Sequence, residues 1–504
     1  MKAFTEPLLS LAGFEEMTKT AEKSSGLISV TGCIDAQKSQ MIYAFGGHRK
    51  NKLIVTFGEQ KAKELYDEYS FFDKEVVYYP SKDVLFYQSD IRGNLLTAER
   101  IRALKAIHEQ ESVTLVTTFD ALMNTMAPIE KMWENVLTLE QGQLLDLKEI
   151  QAALIRMGYE KEYQVQTMGQ FSVRGGILDV FPLTEENPIR IELWGDEIDT
   201  IRYFDCESQK SIENTDRVSI YPAAELVLSD EEKAGGIEKL KAEAKRVSDK
   251  LRKQMKTEEA HRVTVMADEL TEEWGELSMY AGMDAFLSYF FDERVGLLDY
   301  FNPSDSLIFF DELTRCAEQG KLTETEFSES MKQRLAMGYI LPGQMNGLFT
   351  EKEIVAKLEK YSCIALGALD NKANGLHQLG SYGIHCQSVS PYNNSFELLI
   401  KDLKRYKKNG YRVILLSGSR TRAKRLSEDI TDQGITCFYT ENYDHELFEG
   451  QIMVCYGKVR RGFEYPILKF AVITESDIFG AQQKKKKRHR TYEGEKIQSF
   501  TDLS

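Results

Sequence analysis

The clearest alternation of apolar and polar positions lies between Met168 and Asp205. Met168–Arg174 reads as a strand that turns at Gly175-Gly176 and continues as a second strand, stopped by Pro182. From Arg190 the alternation is strict. Arg190, Glu192 and Trp194 face one side and Ile191 and Leu193 the other, before a hairpin signal at Gly195-Asp196 and a further short strand. One face of this small sheet is expected to be apolar and packed, while the other displays Arg174, Arg190, Glu192 and Arg202. A face of alternating charge that holds no nucleophile–base pair suits docking of a partner better than catalysis.

On either side the periodicity is of another kind. Leu27–Thr31, Lys52–Phe57, Glu75–Tyr79 and Val113–Thr118 are apolar strand runs, separated by helical patterns at Gln60–Tyr69 and Asn94–His108, the latter with a basic face. Strands alternating with helices predict a parallel α/β sheet. From about Leu137 to Pro222 the pattern becomes that of a small α+β insert, with a helix at Leu147–Met157. The run Asp230–Glu273, rich in Lys and Glu four residues apart, predicts a solvated helix laced with surface ion pairs. Leu307–Phe310 is an apolar strand that ends in Asp311-Glu312, and residues 318–380 carry few signals beyond loosely placed helices. The α/β pattern returns with a helix at Phe396–Lys408, a strand at Tyr411–Leu416, a helix at Arg420–Gln433 and strands at Ile435–Phe438, Ile452–Cys455 and Phe470–Thr474. The domains expected are 1–136 and 226–380, two parts of one α/β domain; 137–225, the insert; 381–480, a second compact α/β domain; and 481–504, a basic linker leading into a further, truncated domain.

Charge narrows the functions available. The 504 residues hold 79 Asp and Glu against 64 Lys and Arg, a net charge of −15. Such a chain is a poor general ligand for nucleic acid unless its cations cluster. One cluster is evident, Lys484–Arg490, whose plain reading is a solvated linker. The seven cysteines form no C-x-x-C pair, so neither a zinc site nor a disulfide framework is expected, in keeping with a reducing cytoplasm. No run reaches the ~18 apolar residues of a membrane span.

Candidate nucleotide chemistry sits after the first strand. Gly32-Cys33-Ile34-Asp35-Ala36-Gln37-Lys38-Ser39 has the setting of a phosphate-binding loop, with a helix expected from Gln40 to Phe45. Lys38 and Ser39 keep the charge and the magnesium-binding hydroxyl. Gln37 stands where the second glycine should let backbone N–H groups curl around phosphate, which a residue with a Cβ resists. Asp311 and Glu312 have the form of the acidic pair that completes such a site. Together they predict a mononucleotide-binding fold that has lost its function; the plain alternative is a turn that joins strand to helix.

These motifs in this order resemble UvrB: the strand and its G-x-x-x-x-x-K-S loop, the V-R-G-G-I-L-D-V-F-P insert with W-G-D-E-I-D after it, and L-L-D-Y-F before F-F-D-E. The lost loop glycine, the shortness of Tyr78–Arg92 and the I-T-E-S-D-I-F-G stretch at 473–480 are more similar to the bacterial transcription-repair coupling factors. The resemblance implies a degenerate RecA/helicase-like parallel-sheet domain carrying a small insert, followed by a second compact α/β domain. It implies UvrA as the partner of the insert, with Arg174, Arg190 and Glu192 at the matching positions, Lys161 as a looser match, and Ser172 where UvrB has an arginine. It also implies that RNA polymerase and DNA are engaged through domains missing from this chain. ATP and magnesium would serve the full-length family, and this chain would need no cofactor. The rival that the same resemblance allows is a UvrB-like, ATP-dependent damage-verification helicase subunit. A scaffold without a repair role is the third reading.

Overall fold

The computed structural model describes residues 1–46, 49–82, 93–276, 282–369 and 375–480. The basic run Lys484–Arg490, the tail after it and most of the short segment that ends at Arg92 lie outside the described residues. Two units are present, residues 1–386 with 443–446, and the rest from 387.

In the first unit the strands β1 (Gly26–Thr31), β2 (Asn51–Thr56), β3 (Val77–Tyr79) and β4 (Thr114–Thr118) are separated by helices Asp35–Phe45, Glu59–Tyr69 and Gly93–Glu109. All five residues of β4 and the last four of β2 are buried, the signature of strands covered on both faces. The helix after β1 starts at Asp35, not at Gln40 as the loop motif predicts. Ile34 is extended and Asp35-Ala36-Gln37 holds no breaker, so helix forms as soon as the chain leaves the strand.

The insert follows. Its strands are β5 (Leu137–Glu140), β6 (Glu160–Lys161), β7 (Gln170–Arg174), β8 (Ile177–Val180), β9 (Ile189–Trp194), β10 (Glu197–Phe204), β11 (Ser211–Thr215) and β12 (Arg217–Ile220). Strands β6 to β11 form one six-stranded sheet in reverse chain order, and β12 pairs antiparallel with β5. The inner face, Phe171, Leu178, Val180, Ile189, Ile191 and Ile201, packs with Leu154 and Met157 from the helix Leu147–Arg156 and the residue after it. Asp146 caps that helix by accepting from the Lys148 backbone N–H at 2.7 Å.

The charged run after the insert is not one solvated helix. It is a hairpin of two, Asp230–Lys253 and Thr257–Glu276, broken at Met255, whose φ is +63°. Leu240, Ala244 and Leu251 of the first meet Ala260, Val263, Ala267 and the fully buried Trp274 of the second. The apolar positions repeat at helical spacing beneath the ion pairs, and they hold a small core of their own.

The chain then returns to the first sheet with β13 (Ser306–Asp311), β14 (Ser362–Leu366) and β15 (Gln378–Gly383). The sheet order is β15-β1-β14-β13-β2-β4-β3, all pairs parallel. The α/β class is as the alternation predicts. Because β15 belongs to this sheet, the first unit extends to Cys386, past the boundary expected at 380.

The second unit has β16 (Gln387–Ser388), β17 (Arg412–Ser417), β18 (Phe438–Tyr439), β19 (Ile452–Tyr456), β20 (Phe463–Tyr465) and β21 (Phe470–Thr474). Its order is β16-β20-β21-β17-β19-β18, with β18, β19, β17 and β21 parallel. Helices Phe396–Lys408 and Arg420–Asp432 pack on it through Leu399, Leu403, Ala423 and Ile430. None of the described helices is long and apolar enough to cross a membrane.

A buried charge cluster ties the end of the insert to the first sheet. Arg100, on the helix expected to show a basic face, is fully buried. Its Nε and one terminal nitrogen donate to Glu225 at 2.7 and 2.9 Å, its other terminal nitrogen donates to the Pro80 carbonyl, and the guanidinium lies 4.1 Å from the centre of the Tyr79 ring. Lys82 bridges Glu225 at 3.0 Å and Asp284 at 2.8 Å. Burial alone would raise the Glu225 pKa, but the charges of Arg100 and Lys82 outweigh it and hold the group down at about 2 instead of the usual 4.5. A carboxylate depressed in this way stabilises the fold above pH 4.5, and that contribution is lost as pH falls through about 2. Glu225→Gln is therefore expected to be clearly less stable than wild type at pH 7, with the gap in urea titrations closing between pH 4.5 and about 2. A gap independent of pH would mean that the charge of Glu225 contributes nothing.

Candidate functional site

Two places gather the residues singled out in the sequence. The first is the carboxyl end of the parallel sheet. Gly32 sits at φ +78°, and a Cβ there would meet the Ile384 carbonyl oxygen at 2.1 Å, so only glycine fits this turn. Beyond it the cradle is gone. Gln37 and Ser39 are buried inside the first helical turns, and among the described residues the Ser39 hydroxyl has no hydrogen-bond partner. Lys38, 1% exposed, donates from Nζ to Asp311 at 2.5 Å, to Glu312 at 2.8 Å and to Asp35 at 3.2 Å. Burial would lower the Lys38 pKa, but the Asp311 carboxylate beside it prevails and raises it. Asp311 also accepts from Thr56 Oγ1 at 2.8 Å, and Glu312 from the Ala368 N–H at 3.2 Å.

The structure thus brings Gly32, Gln37, Lys38, Ser39, Asp311 and Glu312 together, as the two motifs require. It then spends all three ammonium protons on carboxylates. A triphosphate would have to displace those carboxylates. These residues do not fit a magnesium–nucleotide complex. Among the described residues, no group of three or more His, Cys, Asp or Glu is placed to hold a metal.

The second place is the outer face of the insert sheet. Ser172, Asp179, Arg190 and Arg202 form one cross-strand row, and Arg174, Ile177, Glu192 and Thr200 the next. Asp179, 1% exposed, is the centre of the first row. Arg190 grips it with two bonds of 2.7 and 2.9 Å, and Arg174 adds a third of 2.9 Å. Arg190 also donates to Gln209 at 2.8 Å and stacks on Phe204 with its guanidinium 4.3 Å from the ring centre. Bonding to Asp179 raises its pKa further. With 13% of its side chain exposed, Arg190 is not the solvated strand residue that alternation alone predicts; it neutralises a buried acid. Arg174 keeps 37% of its side chain exposed.

Glu192 is paired with Arg202 and accepts from Thr200 at 3.3 Å. Lys161 is exposed on β6, where it donates to Gln151 at 2.7 Å. Ser172 is buried and donates to the Tyr163 carbonyl at 3.1 Å. Two residues that sequence reasoning assigned no role stand out. Trp194 ends β9 opposite Glu197 with 84% of its surface exposed, and Tyr163 is as open. Large aromatic side chains left this bare mark contact surfaces more often than they mark packing. The signal was in the alternation, which already set Trp194 on the polar face.

Comparison with known proteins bears on the resemblance. Residues 137–226 match the model of the UvrB interaction domain. The transcription-repair-coupling factor of Bacillus subtilis (strain 168) is 28% identical over 453 residues, 89% of this chain and 38% of the relative. That of Staphylococcus haemolyticus (strain JCSC1435) is 27% identical over 489 residues, 95% of this chain and 40% of the relative. That of Staphylococcus aureus (strain MRSA252) is 26% identical, across 97% and 41%. The chain is similar to the N-terminal module of transcription-repair-coupling factors. It spans about two fifths of the length of these relatives. Measured against that family, the matched segment 137–226 coincides with the insert and takes in Glu225, whose buried pairing with Arg100 joins it to the first sheet.

Proposed function

We propose that this chain is the repair-recruiting part of a transcription-repair coupling factor, and that it docks UvrA on the outer face of its insert sheet. Through UvrA it would bring nucleotide excision repair to RNA polymerase stalled at a lesion in DNA. The observation that carries this reading is the outer face around Trp194. The indole at the end of β9 is bare, and on the same sheet Asp179 already orients Arg190 and Arg174, so a partner meets a pre-ordered surface at small entropic cost. The chemistry proposed for the chain is recognition, with no nucleotide turnover of its own. The motor of the family would lie in sequence beyond the module described.

The test is titration of purified UvrA against the wild-type chain and single variants. Arg174→Ala and Trp194→Ala are each expected to weaken binding at least tenfold. Central arginine and tryptophan anchors typically contribute ~2 kcal/mol or more to an interface. Both side chains are substantially exposed, so thermal melts are expected to stay close to wild type. Wild-type affinity in both variants would place the docking face elsewhere.

A further inference from the structure

The second unit carries a groove that neither the recruiting function nor the sequence motifs account for. In an open parallel sheet, ligands bind outside the carboxyl ends of the strands where the winding direction reverses. Here β17 is that place, since the chain goes from it to β18 and β19 on one side and later to β21 on the other. Outside its end lies a cavity of about 530 Å³ whose walls include Phe396, Phe479, Arg422 and Arg425 together with the acids Glu475, Asp429 and Asp432.

The lining is specific in kind. Phe479 is 47% exposed and Phe396 half-buried, so two aromatic side chains with open surface flank the groove. Arg422 and Arg425 are exposed on the first turns of the helix Arg420–Asp432. Glu475 occupies the position an anion would take: it accepts from Ser417 Oγ at 2.8 Å, from the Gly418 N–H at 2.7 Å and from Arg422 at 2.5 Å. Around this mouth stand more cations. Arg420 is exposed, and Lys458 and Arg461 lie in the loop that leaves β19, which the Gly457 N–H ties to the Ser417 carbonyl at 3.0 Å. Five cations thus stand at this mouth against four acids, Glu441 (paired with Arg420), Asp429, Asp432 and Glu475, a local balance that is positive in a chain of net charge −15. Aromatic faces for bases between arginines for phosphates are the elements of single-strand recognition.

We propose that this groove binds single-stranded DNA, an unpaired base lying against Phe479 and Phe396 and its phosphate taken by Arg422 and Arg425 as Glu475 yields. The choice of DNA over RNA rests on the function proposed above, which sets the chain at a lesion in transcribed DNA. The binding chemistry itself does not depend on UvrA.

The experiment measures anisotropy of fluorescein-labelled oligothymidylate, oligouridylate and a duplex against the chain with its C-terminal basic run intact. Oligothymidylate is expected to bind tighter than the other two. Phe479→Ala should weaken it about fivefold or more, as loss of a stacked base does, with the salt slope unchanged. Arg425→Gln should weaken it and reduce the slope of log affinity against log salt by about 0.7, as loss of one phosphate contact to a single strand does. Glu475→Gln, which removes the competing charge, should bind severalfold tighter. Wild-type binding in both Phe479→Ala and Arg425→Gln would overturn the proposal and leave the basic run as the binder. Preference for oligouridylate or for duplex would overturn the assignment to single-stranded DNA. UvrA titrations of the same variants should match wild type; loss of UvrA binding in Arg174→Ala with DNA binding intact keeps the two proposals separate.

Discussion

Arg190→Ala is expected to lower the melting point of the insert by roughly 12–24 °C, a change in folding that any loss of docking would only echo. Asp179 is 1% exposed and takes two of its three side-chain bonds from Arg190. Removing one member of a buried ion pair typically costs ~3–5 kcal/mol, because the other charge stays buried without its partner. Arg174 still reaches Asp179, which sets the expectation near the lower figure, ~3 kcal/mol, and each kcal/mol moves a domain of this size by roughly 4–8 °C. The double variant Arg190→Met with Asp179→Leu leaves no buried charge and is expected to recover much of the loss. Circular-dichroism melts and amide exchange across 137–226 read both results. An unchanged melt for Arg190→Ala would show that Asp179 does not need it. Loss of UvrA binding in Arg190→Ala is thus weak support for docking, whereas loss in Arg174→Ala, with an intact melt, is strong.

Lys38 inverts the usual consequence of mutating such a lysine. In a working phosphate loop its removal abolishes turnover and spares the fold. Here Lys38→Met is expected to destabilise the first unit by ~3–5 kcal/mol, since Asp311, 1% exposed, and Glu312 would face each other without a cation. Magnesium-dependent ATP turnover is expected in neither the wild type nor Gln37→Gly, since a single glycine restores neither the helical loop nor the ammonium held by three carboxylates. Urea titration and a coupled ATPase assay on the three proteins decide the matter. Turnover that vanishes in Lys38→Met while stability holds would reinstate an enzyme.

These two sites also mark how far the sequence could be read. The alternation Arg190 to Trp194 gave the two faces of β9 correctly because the side-chain period of a strand is two. Separated apolar runs with helices between them sufficed for the parallel sheet. The role of Asp179 was hidden, because an acid in a strand reads as solvated until three strands are put in register. The same holds for Arg100 and Glu225, partners 125 positions apart. The early start of the helix at Asp35 was missed because the loop motif was given priority over the absence of any breaker. Ser362–Leu366 is too short to declare itself, and Gln378–Gly383, with two glycines, has little strand propensity; pairing with β1 and not local preference makes it a strand.

The sheet order also has a consequence for synthesis. β1 is flanked only by β14 and β15, so Leu27–Val30 has no hydrogen-bonding neighbour until residues 362–366 are made. At translation speeds of roughly 5–20 residues per second, that interval is roughly 15–65 s. The insert, whose strands pair mainly with their neighbours in sequence, can close on itself meanwhile. The nascent chain therefore exposes an apolar edge for tens of seconds, the period in which a chaperone would have most to bind, and β1 is made long before its partners.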